Sequence, residues 1–329
     1  MLTDAFGRKH SYLRISLTEQ CNLKCTYCRP EFHDVFSRRE KIMTPDEILS
    51  IAELFVKHGV NKIRLTGGEP LVRKEFEQIL KGLARLPVNV AMTTNGVTID
   101  QHISLLEHCG MKHLNISLDT LKPRRFKEIT GRDAFGKVYD NILNLIDHNF
   151  HVKINVVLIK GRNDDEIIDF IEWTREIPLS VRFIEFMPFQ GNRWDMSRTV
   201  SLMDILSKAE HKYSADHIDS IEGAPHDTAK HFRVHGFQGS FAVISTVTQP
   251  FCSSCNRMRL TANGHLKNCL FSESELDILT PLRQGDNLEG LIAEYVQAKA
   301  EYRGNKAKLE DFIAPSSHER NRSMITIGG

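Results

Sequence analysis

Several things are missing from this 329-residue sequence, and each absence removes a class of function. There is no charge excess: 43 Lys and Arg face 42 Asp and Glu. A whole-molecule basic field of the kind that gathers nucleic acid is therefore absent, and any anion site must be a local cluster. No apolar run reaches membrane-span length, so no membrane partner is expected. The opening stretch "MLTDAFGRKHSYLR" has no apolar core of a secretory signal, and the expectation is a cytoplasmic chain with reduced thiols. Internal repeats and low-complexity segments are absent as well. Cysteine is sparse, with seven residues, but it is not scattered. Cys21, Cys25 and Cys28 form one triplet, Cys252, Cys255 and Cys269 another, and Cys109 stands alone near a helix end as a small buried hydrophobe.

What is present is an alternation of short β-branched runs with amphipathic stretches. The runs are "YLRISL" (12–17), "NKIRLT" (61–66), "VNVAMTT" (88–94), "HLNISL" (113–118), "VKINVVLI" (152–159) and "VRFIEFM" (181–187). Between the first two, "TPDEILSIAELFVKHG" offers Thr44 as N-cap, Pro45 at the first helical position, Glu47 closing a capping box and Gly59 as stop. Strand–helix alternation of this kind makes a parallel sheet. About six such units over residues 10 to 190 predict an incomplete, six-unit version of the eightfold βα barrel. The unusual motifs, "CNLKCTYC", "GGEP", "TNG", "LDT" and "MPFQGNRW", all follow strands, where such barrels keep their active sites. Past residue 195 the pattern changes to hairpins, "FRVHGFQGSFAVIST" and "RMRLTANGHLKNCL", then helix and a polar tail. The division expected is 1–195 for the barrel and 196–329 for a C-terminal region.

Three thiols in eight positions suit neither a disulfide nor a four-ligand zinc site. Three thiolates can hold a cubane iron–sulfur cluster and leave one iron open. Zinc with His33 as fourth ligand is the alternative, and the x3-then-x2 spacing counts against it. The second triplet, Cys-x2-Cys-x13-Cys, suits zinc with His265 as well as it suits a cluster. Arg257 and Arg259, alternating on a predicted strand, turn two guanidiniums to one face, an arrangement fit for phosphate oxygens.

"CNLKCTYC" resembles the CxxxCxxC signature of the radical S-adenosylmethionine superfamily. The wider set "DAFGR", "YLRISLTEQCNLKCTYC", "IRLTGGEPLVR", "TTNG", "NISLDTL", "RFIEFMP", "PFCSSCNRMRL" and "NRSM" resembles one family within it, the GTP 3',8-cyclases, over nearly the whole chain. The resemblance implies a radical-SAM-type partial barrel with a C-terminal extension of hairpins and helices. It implies two [4Fe-4S] clusters, one on Cys21, Cys25 and Cys28, the other on Cys252, Cys255 and Cys269. S-adenosylmethionine would complete the first cluster, with contacts from Tyr27, Gly68, Ser117 and Met187; the purine of GTP would face the second. Arg14, Arg64, Thr93, Lys153, Arg257, Met258 and Arg259 would hold GTP, with Thr93 or Thr94 facing the lumen according to strand register. The C-terminal Gly328 and Gly329 would assist catalysis. The implied reaction starts with a 5'-deoxyadenosyl radical that takes the ribose 3' hydrogen, and closes a 3',8 bond as the first step of molybdenum cofactor biosynthesis. The resemblance further implies a homodimer, an unnamed electron donor and a downstream cyclic pyranopterin monophosphate synthase. "CRP" after the first triplet and the compact "EFHDVFSRREKIM" depart from the commonest form of the family, in loops.

Overall fold

The computed structural model describes residues 1–29, 36–224 and 226–328. Six parallel strands form where the β-branched runs predict them, within one or two residues: β1 Tyr12–Ser16, β2 Lys62–Thr66, β3 Asn89–Thr94, β4 His113–Ser117, β5 His151–Leu158 and β6 Ser180–Glu185. The helix Pro45–Lys57 returns the chain from β1 to β2. Its start is the predicted capping box: Glu47 N donates to Thr44 Oγ1 at 3.3 Å, and Thr44 N donates to the Glu47 carboxylate at 2.7 Å. Ile48, Ile51, Ala52 and Phe55 recur on one stripe and are all buried against the sheet. Full burial of each large side chain contributes about 1.5–3 kcal/mol.

The extension does more than follow the barrel. It adds β7 Ile218–Ile221, β8 Lys230–Val234, β9 Ser240–Ile244, β10 Arg257–Leu260, β11 His265–Lys267 and β12 Leu276–Asp277. The two hairpins are present, β8–β9 and β10–β11, both antiparallel. One strand of each also joins the barrel: β9 pairs parallel to β6, and β10 pairs parallel to β1. The sheet runs β12-β11-β10-β1-β2-β3-β4-β5-β6-β9-β8-β7. Eight parallel strands thus line the inside, two of them supplied by the hairpins, and one hydrophobic core runs from Leu2 to Val296 behind them. Among the described residues no helix is long and apolar enough to cross a membrane.

The N-terminal segment closes the side of the sheet near β10. Asp4, Arg8 and His10 are buried together, with Arg8 Nε donating to Asp4 Oδ2 at 2.6 Å and His10 Nε2 at 2.9 Å from the same oxygen. Burial and the nearby Lys299 charge hold the His10 imidazole down at about 4, against the pull of Asp4. An unfolded chain binds that proton near pH 6.5. Between these values the unfolded state holds more protons, so stability falls as the pH is lowered from about 6.5 to about 4, by ~3 kcal/mol for this group. A series of thermal melts across that window tests this: the midpoint should fall steadily with pH, and His10→Gln should flatten the slope.

Candidate functional site

The first triplet sits in the loop after β1, and each of the next three strands sends one motif to hold it. Asn95, from "TNG" after β3, points its amide at Cys21 Sγ (3.7 Å) and at Asn22 Oδ1 (2.7 Å). Asp119, from "LDT" after β4, accepts from Tyr27 Oη at 2.7 Å and from Val157 N at 2.8 Å. "GGEP" after β2 grips the chain just before the triplet: Gly68 N donates to Thr18 O at 2.6 Å and Glu69 N to Gln20 O at 2.8 Å. A Cβ on Gly68 would stand 2.3 Å from Gln20 O, so only glycine lets the loops meet. The chain's own backbone approaches Gly68, and both carboxylate oxygens of Glu69 are engaged by Thr94 Oγ1 (2.6 Å), Asn95 N (2.7 Å) and Leu71 N (3.1 Å). Burial nevertheless pushes Glu69 up to about 7 and Asp119 to about 6.

The three thiols of this loop feel one another. Burial pushes Cys21 up to about 11 and Cys28 to about 12, with Cys25 also raised well above the usual range and the neighbouring sulfurs adding to the shift. Among the described residues no three His, Cys, Asp or Glu side chains converge on one ion position. Three thiols on one loop are the donor set of a multi-iron cluster held with one sulfur per iron. Leu23 N, 3.4 Å from Cys21 Sγ, adds the backbone donor such a sulfur accepts. His33, the zinc alternative's fourth ligand, lies outside the described residues. His265 faces Asn263 O at 3.2 Å through Nδ1. Cys109 packs half-buried against the core, as the sequence suggests.

Inside the barrel lies a cavity of about 570 Å³. The strand register decides which side chains reach it. Arg14 pairs with Arg64 across β1 and β2 and with Arg259 across β1 and β10, so three guanidiniums stand in one row. Lys153, Arg257 and Met187 line the same space. Thr93, aligned with the lining residue Asn115, lies 3.4 Å from Arg64 Nη1, whereas Thr94 turns away to Glu69; Thr93 therefore holds the lumen face. Ser117 shares the Asn115 face of β4 one step further along. The Met258 side chain, alternating with Arg257 and Arg259, is buried in the core behind the sheet, away from the cavity, so only its backbone faces the neighbouring strands.

Sequence reasoning missed Lys62, Arg182, Tyr12, Asn115, Asn155 and Arg303, all lining residues. Asp227 is the one carboxylate among the described lining residues. Crowding of like charge shows in the ionisation: burial and the neighbouring cations bring Lys153 down to about 8 and Arg182 and Arg259 down to about 10. Burial raises the Tyr12 phenol, but Arg64, Arg14 and Lys62 outweigh it and bring it to about 7. Arg64 Nε donates to its oxygen at 2.5 Å.

The second triplet belongs to this cavity wall. Cys252, Cys255 and Cys269 all line it, and Cys252 lies within electrostatic reach of the other two sulfurs. Burial raises Cys255, but Lys299 and Arg257 overcome it and bring the thiol down to about 7. The polar tail, loose by composition, is ordered over the described residues: Met324–Ile327 is a helical turn with Ile325 and Ile327 buried. Gly328 reaches the ends of β1 and β2 and accepts a hydrogen bond from Arg259 Nη1 at 2.8 Å. Gly329 lies outside the described residues.

The comparisons with known proteins agree with this anatomy. The Radical SAM superfamily profile matches residues 15–174 and the Molybdenum Cofactor Synthesis C profile residues 179–305. The chain is 44% identical to the mitochondrial GTP 3',8-cyclase of Arabidopsis thaliana, over 100% of this chain and 84% of that one. It is 40% identical to GTP 3',8-cyclase of Listeria monocytogenes, over 100% of this chain and 99% of the other. Human molybdenum cofactor biosynthesis protein 1 is 41% identical over 99% of this chain, which spans 51% of that longer protein. The Streptococcus suis SuiB structure with S-adenosylmethionine shares the fold at a TM-score of 0.61 and 17% identity, over 87% of this chain and 68% of its own. With the loop thiols, the partial barrel and full-length relatives in accord, the chain belongs to the GTP 3',8-cyclase family of the radical S-adenosylmethionine superfamily.

Proposed function

We infer that this chain converts GTP to (8S)-3',8-cyclo-7,8-dihydroguanosine 5'-triphosphate, the first step of molybdenum cofactor biosynthesis. The observation that carries the reading is the cavity, where a row of guanidiniums with one opposing carboxylate shares its walls with a thiol triplet. Arg14, Arg64, Lys153, Arg257 and Arg259, with Thr93, would bind GTP. Guanidiniums take phosphate oxygens two at a time, and a tetra-anionic triphosphate relieves the repulsion that burial imposes on the cations. Met258 adds no side chain to this set.

Cys21, Cys25 and Cys28 would hold a [4Fe-4S] cluster, with Tyr27, Gly68, Ser117 and Met187 beside S-adenosylmethionine. Cys252, Cys255 and Cys269 would hold a second cluster. When bound, the first cluster and S-adenosylmethionine supply the 5'-deoxyadenosyl radical that takes the ribose 3' hydrogen. The protein's share is to bind, orient and exclude water. Asn115 and Asn155 offer amides beside the cations. Phe189, Phe271 and Phe312, with Ile327, make a small apolar cluster that carries the tail. Gly328 would complete the chamber at the reacting end, and Gly328 and Gly329 would assist catalysis.

The test is anaerobic reconstitution with iron and sulfide, followed by S-adenosylmethionine and dithionite with GTP, ATP or no nucleotide. The expected outcome is 5'-deoxyadenosine formation stimulated by GTP over ATP, with deuterium moving from 3'-labelled GTP into it. Cleavage indifferent to GTP would move the substrate from nucleotide to peptide and overturn the reading.

A further inference from the structure

The "DAFGR" segment and one buried lysine remain outside the chemistry described so far. Lys299 is 3% exposed, yet among the described residues no carboxylate stands within ion-pair distance of it. Its ammonium donates to the Arg257 carbonyl at 3.0 Å and to Cys255 Sγ at 3.5 Å. A buried cation with no anion is costly, and the atom placed to supply the negative charge is the cysteine sulfur.

The segment that carries Lys299 is itself pinned to the thiol loop. Arg8, steadied by Asp4, donates through Nη1 to Cys252 O and to Glu301 O, each at 2.8 Å, and through Nη2 to Ala300 O at 2.8 Å. One guanidinium thus ties the turn after Lys299 to the turn that holds Cys252. Arg8 sets the distance between the two elements, and Lys299 uses it.

We propose that Lys299 is a positioning residue for the second triplet: with iron bound, its hydrogen bond to the Cys255 sulfur biases that cluster toward its reduced form. The physical basis is general, since hydrogen bonds and positive charge at ligand sulfurs favour the more negative, reduced cluster. The inference rests on the second-cluster reading above, and the test separates the two.

The full-length protein, its Lys299→Met variant and its Lys299→Arg variant are each reconstituted anaerobically. Iron and sulfide are counted, and the reduced clusters are followed by electron paramagnetic resonance in a redox titration. The signal that responds to S-adenosylmethionine belongs to the first cluster; the other is read. In Lys299→Met the reduced-to-oxidised ratio at the wild-type midpoint should drop about tenfold, equivalent to ~59 mV for a one-electron couple. Lys299→Arg should recover most of that shift. Loss of second-triplet iron in Lys299→Met but not in Lys299→Arg would also support a cationic donor acting on the ligand sulfur. An unchanged midpoint in Lys299→Met with both clusters present overturns the proposal, as does equal loss of iron in both variants, which would show that restoring the charge does not restore the site. A wild-type chain that binds one cluster only would instead remove the reading on which the proposal stands.

Discussion

Cys25→Ala should yield a chain that forms no 5'-deoxyadenosine above background from S-adenosylmethionine and dithionite. Cys25 is the middle thiol of a loop held by motifs from three other strands, so its loss removes a proposed cluster ligand and leaves the loop's scaffold standing. Gly68 still meets Thr18, Asn95 still meets Asn22, and Asp119 still meets Tyr27. Cys25 N–H and side chain carry none of those bonds; its carbonyl accepts from Cys28 N and Arg29 N and is kept by alanine. The effect is therefore chemical. Burial, Asp119 and the neighbouring thiols push the Cys25 thiol well up, so a thiolate persists there only with a metal to bind it. Two thiolates cannot hold a cubane through three of its irons. The measurements are iron per chain, which should fall by one cluster's worth, the thermal midpoint of the metal-free chain, which should change little, and deoxyadenosine, which should vanish. Wild-type deoxyadenosine from Cys25→Ala would remove this triplet from the chemistry.

The barrel was legible in the sequence because its signals are local. Six β-branched runs, a capping box at Thr44 and Glu47 and a stop at Gly59 each act within a few residues, and each appears in place. Which strands pair is not local. The runs that form β9 and β10 look like hairpin strands, and they are, but nothing in their alternation says that each also lies parallel to β6 or β1. The sequence accordingly reads as six barrel units with an appendage, while the folded sheet has eight parallel strands.

The same difference separates the site residues found from those missed. Strand alternation alone points to Lys62 and Tyr12, each two positions before a recognised arginine on the same strand, and so on the same face. Arg182 and Asn155 follow by register, paired across β5 and β6. Alternation also rules out the Met258 side chain once Arg257 and Arg259 are assigned inward. Arg303 has no such signal: it sits at φ +38 in a turn, and only the tertiary fold brings it to the cavity. Lys299 is equally silent, since a lysine near the end of the helix Leu288–Gln297 ordinarily faces water.

Gly328→Ala should lower formation of the cyclised product roughly hundredfold, the scale of a misplacement of about 1 Å at a reacting centre. Gly328 has φ +90, and a Cβ there would stand 2.8 Å from both Ser16 Cβ and Thr66 Oγ1. Neither neighbour can yield easily, because Ser16 and Thr66 end β1 and β2 and are buried in the sheet. The backbone conformation adds about 1–3 kcal/mol of strain for a residue with a side chain. The alternative is that the tip of the tail backs out and Gly328 O leaves Arg259 Nη1. Arg259 would then lose the carbonyl that orients it, beside the cations that would hold the triphosphate. The first triplet and the loops that hold it are untouched by this movement, so deoxyadenosine should still form, and the ratio of deoxyadenosine to cyclised product should rise. If the cause is steric, combining Gly328→Ala with Ser16→Gly should recover part of the product, since Ser16 supplies two of the three close contacts. Wild-type product from Gly328→Ala would show that the tail's place in the barrel is not what the reaction depends on; no recovery in the double variant would place the cause in the backbone conformation and the Thr66 contact that Ser16→Gly leaves standing.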